Sequence, residues 1–305
     1  MAGTVEAVGA NVYEFKVGDR VAAYHESFEP HGTYSELSIA PSHSVFHIGE
    51  KTAFEDAAAV PLVAATAAVG LFSRLRLPPP WDVTPDAAAR GPLLIYGAGG
   101  AVGAYAVQFA VKARLHPIIA IAGRSKDYVS TLIMPSEGDC VFDYRQGVDA
   151  VAAQVREAIG SKAIYHAFDC ISMPGTDEFI GRLIKADEPS KCSVATVLPR
   201  AAGGVSAMKV PSSLELPPMN SIPDGVEVNW TFVGAVHKNE KEFGYVFFRY
   251  IGRGLQDGWL KPVPREIVAQ GLDGVTDALR KMMNGEHSAT KYVVRIADTA
   301  SVGSG

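Results

Sequence analysis

Seven residues lying between an apolar run and an alanine-rich one carry the first chemical signal in this chain: Gly97-Ala98-Gly99-Gly100-Ala101-Val102-Gly103, directly after Leu93-Leu94-Ile95-Tyr96. A pyrophosphate is bound by backbone N–H groups at a helix N-terminus, and a Cβ at that point holds the phosphate away from them. The G-x-G-x-x-G fingerprint would put its last glycine where Val102 stands; Gly97, Gly100 and Gly103 instead read G-x-x-G-x-x-G. A bare tight turn is the bland alternative, and the strand-then-helix flanks favour a cradle. The next apolar run, PIIAIA, ends in Gly123-Arg124-Ser125-Lys126. An NAD site usually carries Asp or Glu roughly 20 residues after the glycines to accept from the ribose 2′-hydroxyl. Two cations and a hydroxyl suit a dianionic 2′-phosphate instead, through charge-assisted hydrogen bonds. The expected cofactor is therefore NADPH, and Asp127 reads as an acidic residue in the first turn of the next helix.

Other chemistries find less support. No tyrosine stands in a Tyr-x-x-x-Lys arrangement, which removes the short-chain reductase way of lowering a phenol pKa. The only cysteines, Cys140, Cys170 and Cys192, all follow the glycine loop, so neither a Cys/His catalytic zinc nor a four-Cys lobe is expected. His25, His31, His43 and His47 lack ligand spacing and read as surface or turn residues. The 28 basic and 33 acidic residues give a net charge of −5 without a long basic run, which argues against nucleic acid as a partner. The uncharged stretch 92–111 approaches the roughly 20 residues of a membrane span, but its glycines and Gln108 make a strand, a turn and a helix the better reading. Three scattered cysteines and an opening MAGTVEAVG without a basic-then-apolar leader suggest a reducing, cytoplasmic location.

These residues need elements to hold them. At 305 residues and 48% apolar content, two domains are expected. TVEAVG, DRVAAY and YSELSIA read as short strands of a small barrel or sandwich, and FEDAAAVPLVAATAAVGLFSRL as helical. LPPPWDVTPD reads as a surface loop. Then strands at 93–96, 118–122, 140–142, 164–169 and 193–198 alternate with helices from 101, at 126–132 and at 148–159, the pattern of a doubly wound parallel sheet in an α/β fold. FGYVFFRYIGRGLQDG and GLDGVTDALRKMMNGE read as helices before a final β-run, KYVVRI.

VEAVGANVYEFKVGDRVAA, GTYSELSIAP, EDAAAVPLVAATAAVGL, the glycine loop, VFDYR, HAFDCIS and the tail GLDGVTDALRKMMNGEHSATKYVVRI together resemble the zinc-independent medium-chain dehydrogenase/reductases. Within them the chain is most similar to the fungal trans-acting enoyl reductases that serve polyketide synthases. The resemblance spans nearly the whole chain, and VGDRV is its least specific part. It implies a partial GroES-like β-barrel domain at 1–65, an NADPH-binding Rossmann domain at 66–254 and a return to the first domain at 255–305. The family's first domain ordinarily begins several dozen residues earlier, so the chain is expected to be N-terminally truncated.

The resemblance also assigns residues. Gly97, Ala98, Gly99, Gly100, Ala101, Val102 and Gly103 would cradle the pyrophosphate, and Gly123, Arg124, Ser125 and Lys126 with Tyr144 would surround the 2′-phosphate. Val293 and Val294 would approach the cofactor from the other domain. Pro61, Leu62, Val63, Ala64, Ala65, Thr66, Ala67 and Ala68 would line the substrate cleft. The plainer alternatives are a strand-end aromatic for Tyr144, a helix residue bonding its own backbone for Thr66, and strand core for the valines. The implied reaction is hydride transfer to the β-carbon of an α,β-unsaturated thioester or ketone, small or carrier-bound. Tyr24, His25 and Tyr34 are candidates by location for the proton donor, as is water. An NADPH quinone reductase and a non-catalytic NADPH-binding protein are the alternatives, and the oligomeric state is open.

Overall fold

The computed structural model describes residues 1–83, 91–185, 191–199, 221–286 and 288–300. The chain divides into two compact units, Met1–Ala65 with Val233–Gly305, and Thr66–Phe232.

The first unit opens with an antiparallel sheet of β1 (Ala2–Thr4), β2 (Arg20–Ala23) and β3 (Val45–His47) in that order. Val45 and Ala23 pack with Phe15 beneath it, and Met1, Val12, Val21 and Ala40 close the cluster. The expected strand YSELSIA does not form. The hydroxyls of Ser35 and Ser38 both donate to Gly32 O, at 2.8 Å each, so local side-chain bonds turn the backbone away from a ladder. The helical run is broken into α1 (Phe54–Ala58) and α2 (Pro61–Ala68), because Pro61 has no N–H to continue α1 and suits a first helical position. A π-helical turn, Val69–Arg74, follows.

Among the described residues the second unit holds six parallel strands: β4 (Leu93–Tyr96), β5 (Ile118–Ala122), β6 (Cys140–Asp143), β7 (His166–Asp169), β8 (Ser193–Thr196) and β9 (Glu227–Trp230). Their order is β6-β5-β4-β7-β8-β9, which is the doubly wound Rossmann arrangement, and the chain reverses direction across the sheet between β4 and β7. The helices are α3 (Ala101–Lys112), α4 (Lys126–Ser130), α5 (Val148–Ile159) and α6 (Thr176–Gly181). Val151, Ala152 and Val155 of α5 share a core with Leu94, Ile119, Ile121 and Val194. Fully burying each such valine or leucine stabilises the fold by about 1.5–3 kcal/mol. β9 escapes the sequence pattern because EVNW is polar and only half-buried. Residues 92–111 are β4, the glycine turn and α3, and among the described residues no helix is long and apolar enough to cross a membrane.

The return to the first unit begins at Val233, earlier than the position 255 expected from the sequence. The reason is α7 (Lys241–Asp257), whose apolar face packs on β3. A Cβ on Gly252 would lie 2.9 Å from Phe46 Cβ, so the bare glycine admits that side chain. Arg249 of the same helix donates to Ser42 O, His43 O and Val45 O. β10 (Arg265–Val268), α8 (Val275–Met283) and β11 (Lys291–Val294) complete the unit, with β10 and β11 parallel.

Candidate functional site

The glycine loop sits at the C-terminal end of β4, beside the reversal point where ligands of open α/β sheets bind. Gly97 N and Ala98 N both donate to Ile121 O, at 3.0 and 2.9 Å, which pins the loop to β5. Its glycines fall into two kinds. A Cβ on Gly97 would stand 2.3 Å from Ile171 Cγ1, on Gly99 1.7 Å from Ser125 Oγ, and on Gly103 2.2 Å from Gly97 O. Those three are demanded by the protein's own packing, as a tight turn would also require. Gly100 is different: its nearest neighbour would be Gly97 O at 3.3 Å. It is exposed, it is the N-cap of α3, and no side chain caps the helix there. The first-turn N–H groups of this twelve-residue helix thus have neither an intrahelical acceptor nor a side-chain cap, a fit for an anionic diphosphate.

The second cluster closes over this loop. The clash distance at Gly99 places the Ser125 hydroxyl directly against the loop, and a Cβ on Gly123 would meet the Tyr144 ring at 2.5 Å. The structure therefore brings Gly97–Gly103, Gly123, Ser125 and Tyr144 into one neighbourhood, with Arg124 exposed and Lys126 half-buried beside them. Asp127 lies in the first turn of α4. Tyr144 stands just beyond β6, half exposed, and its ring centroid is 6.4 Å from that of Tyr96. Tyr96 ends β4; burial, then the nearby Asp169 and Tyr144, push its phenol up to about 12, so it stays neutral.

Two residues flanking Tyr144 were not singled out by the sequence reading, although VFDYR contains both. Asp143, the last residue of β6, is gripped by Arg145, with Nε 2.9 and 3.1 Å from the two carboxylate oxygens and Nη2 2.5 Å from one of them. That fork, then the Arg145 backbone N–H, lowers the Asp143 carboxyl to about 2. Asp169 was also missed. It is fully buried at the end of β7, opposite Tyr96 in register, and accepts from Ile171 N, Ser172 N and Thr176 Oγ1 at 3.1, 2.7 and 2.5 Å. It shapes the turn that lays Ile171 over Gly97. An acid ending an otherwise apolar strand was the signal available for it.

The remaining candidates are placed as follows. On α2 Leu62 is exposed, while Pro61, Val63, Ala64, Ala65, Thr66, Ala67 and Ala68 are buried. Val293 is buried and Val294 half-buried on β11. Tyr24 is buried with its hydroxyl 2.7 Å from Ser27 Oγ, and burial raises its pKa. Both ring nitrogens of His25 lie on backbone carbonyls, Ile39 O at 2.6 Å and Glu29 O at 2.9 Å. Tyr34 and His31 are exposed, and His47 bonds Asp19 at 3.0 Å. His43 departs from the surface reading: its Nε2 is 3.2 Å from Nδ1 of the buried His237. Burial, then His43, lowers His237 to about 4, and its Nε2 has no hydrogen-bond partner among the described residues. Among those residues no three His, Cys, Asp or Glu side chains gather as a metal site.

No family model matches the sequence. The trans-enoyl reductase fsr4 of Gibberella fujikuroi is 39% identical over 267 residues, spanning 88% of this chain and 73% of that protein. The crystal structure of CurK enoyl reductase aligns with a TM-score of 0.64 at 21% identity, over 96% of this chain and 77% of that one. The quinone oxidoreductase of Pseudomonas syringae pv. Tomato DC3000 aligns with a TM-score of 0.64 at 23% identity, over 96% and 80%. At such identities the two structures share the fold, a Rossmann domain with a GroES-like domain.

Proposed function

The chain belongs to the fungal trans-enoyl reductases of the medium-chain dehydrogenase/reductase superfamily, and from that premise we infer an NADPH-dependent oxidoreductase that reduces the double bond of an α,β-unsaturated thioester or ketone. The observation that carries the reading is Gly100: an exposed, uncapped helix start at the end of β4, where the protein's own packing crowds a Cβ far less than at Gly97, Gly99 or Gly103. The first-turn amides from Ala101 to Gly103 would donate to the diphosphate. Ser125, Arg124, Lys126 and Tyr144 would surround the 2′-phosphate, with the Ser125 hydroxyl already held against the loop. Val293 and Val294, and α2 from Pro61 to Ala68 with Leu62 outermost, are the proposed cofactor and substrate contacts of the remaining chain.

When bound, the nicotinamide supplies a hydride to the substrate β-carbon. The oxygen that then gains charge needs hydrogen-bond donors, and the α-carbon needs a proton. Tyr24 shares its hydroxyl with Ser27 and His25 has both ring nitrogens on carbonyls, which leaves the exposed Tyr34 and solvent as proton sources in this reading. No metal enters the scheme. A polyketide synthase presenting a carrier-bound acyl chain is the proposed partner, and the few, scattered cysteines Cys140, Cys170 and Cys192 fit a cytoplasmic setting.

Fluorescence titration with NADPH and NADH, followed in the same cuvette by a crotonyl thioester and then a quinone, tests the reading. NADPH preference with oxidation on thioester addition is expected. Oxidation only by the quinone supports the alternative, an NADPH quinone reductase. Binding without oxidation leaves a cofactor-binding protein, and equal affinity for NADH removes the 2′-phosphate assignment.

A further inference from the structure

The cations around Tyr144 do not stand alone. β5 and β6 run in parallel register with Ala122 opposite Asp143, so the segment after β5, with Arg124 and Lys126, and the segment after β6, with Tyr144 and Arg145, leave the sheet side by side. Beside Asp127, which belongs to the first turn of α4, the chain sets a second carboxylate into that group, and this one grips a cation. Asp143 is mostly covered, with 14% of its side chain exposed, and it holds the half-exposed Arg145 by a fork of three contacts. Lys126 also acts on Asp143, and the Tyr144 phenol acts on Arg145.

Asp143 has a structural task as well, because its Oδ1 accepts from Arg145 N at 3.0 Å and caps the short 3-10 turn Tyr144–Gln146. Asparagine caps as well as aspartate does, so the cap alone does not call for a charge. What the charge adds is compensation. It cancels the guanidinium that immediately follows the ring packed on Gly123, and it faces Lys126 across the strand ends.

We propose that Asp143 and Arg145 are a specificity-determining pair, in which Asp143 sets how strongly the chain prefers a 2′-phosphorylated adenosine over an unphosphorylated one by offsetting Arg145 and Lys126. The proposal rests on the NADPH reading and deepens it: Arg124, Lys126 and Arg145 lie near Tyr144, Asp127 sits in the first turn of α4, and Asp143 is the carboxylate paired to one of the cations. A 2′-phosphate brought to Tyr144 would be attracted by the cations and repelled by the carboxylate, whereas an unphosphorylated ribose would feel neither strongly. Charge changes at a partly exposed site are modest and screened by salt.

The test is calorimetric titration of the full chain with 2′,5′-ADP and with 5′-AMP, at low salt and at high salt. In Asp143→Asn, which keeps the cap and removes the charge, 2′,5′-ADP is expected to bind about fivefold tighter at low salt, with 5′-AMP unchanged and the gain shrinking at high salt. In Arg145→Gln, where the carboxylate is left uncompensated, 2′,5′-ADP is expected to bind about fivefold more weakly, again with 5′-AMP unchanged. Loss of the cap alone would move both ligands together. If the native chain prefers 2′,5′-ADP but neither variant moves the ratio of the two affinities, the pair is structural and the proposal is overturned while the NADPH reading stands. If the native chain binds the two nucleotides alike, the NADPH reading falls and takes this inference with it.

Discussion

Two alanine substitutions a few positions apart separate a phosphate cradle from a turn. Gly103→Ala drives a methyl into Gly97 O and Ala98 Cα, 2.2 and 2.7 Å away, both backbone atoms that cannot swing aside. It is expected to cost about 1–3 kcal/mol in chemical denaturation. Gly100→Ala meets one backbone atom at 3.3 Å and gives a poorer N-cap, so it should cost about 1 kcal/mol or less, below Gly103→Ala, while NADPH affinity falls about tenfold. Equal affinity in native and Gly100→Ala chains would return the loop to a plain turn. The other residue-scale prediction concerns His237. Its folded-state value, about 4, lies below the ordinary 6.5, so between those pH values the unfolded chain takes up a proton that the folded chain refuses. The contribution is therefore complete above the window and is lost as the pH falls through it. His43, His25, Glu26 and Lys241 are the charged or titratable groups acting on the ring. The thermal midpoint should drop by about 3–6 °C more across that window in the native protein than in His237→Gln.

At the scale of elements, position depends on a few buried polar anchors as much as on apolar pattern. Asp139, with no side-chain exposure, accepts from Ile118 N at 2.7 Å and Met134 N at 2.9 Å and lies 2.8 Å from His116 Nδ1, fixing where β5 and β6 begin. Asp139→Ala would orphan the buried Ile118 N–H and free the partly buried Met134 N–H, and is expected to cost about 1–3 kcal/mol in urea unfolding, with Asp139→Asn costing less. Such anchors explain what the sequence made legible. β4 to β8 and α3 to α5 were readable because parallel strands covered on both faces are continuous apolar runs, and small residues marked α3. β9 was not, since EVNW carries no such run, and β10 was missed for the same reason in REIV. The supposed strand at 34–40 had suitable alternation, but its serines supplied competing bonds that periodicity does not weigh. In the candidate site, glycines and cations were visible from type and spacing. Asp143, Arg145 and Asp169 were not, because their meaning lies in partners brought together by the sheet register.

For the whole molecule, the second unit is one uninterrupted stretch of chain while the first is assembled from two. A fragment comprising 59–232 is therefore expected to fold, by circular dichroism, and to bind 2′,5′-ADP with an affinity within about threefold of the full chain. An unfolded fragment, or one blind to the nucleotide, would show that the first unit is needed to build the 2′-phosphate pocket. The same connectivity bears on synthesis. β3 is made early, but the helix that lays Arg249 on its carbonyls and opens Gly252 to Phe46 does not emerge until after residue 257. During translation the nucleotide-binding unit is complete while one face of β3 still waits for its cover, so a chain stalled before α7 would present Phe46 to the chaperones that attend nascent proteins.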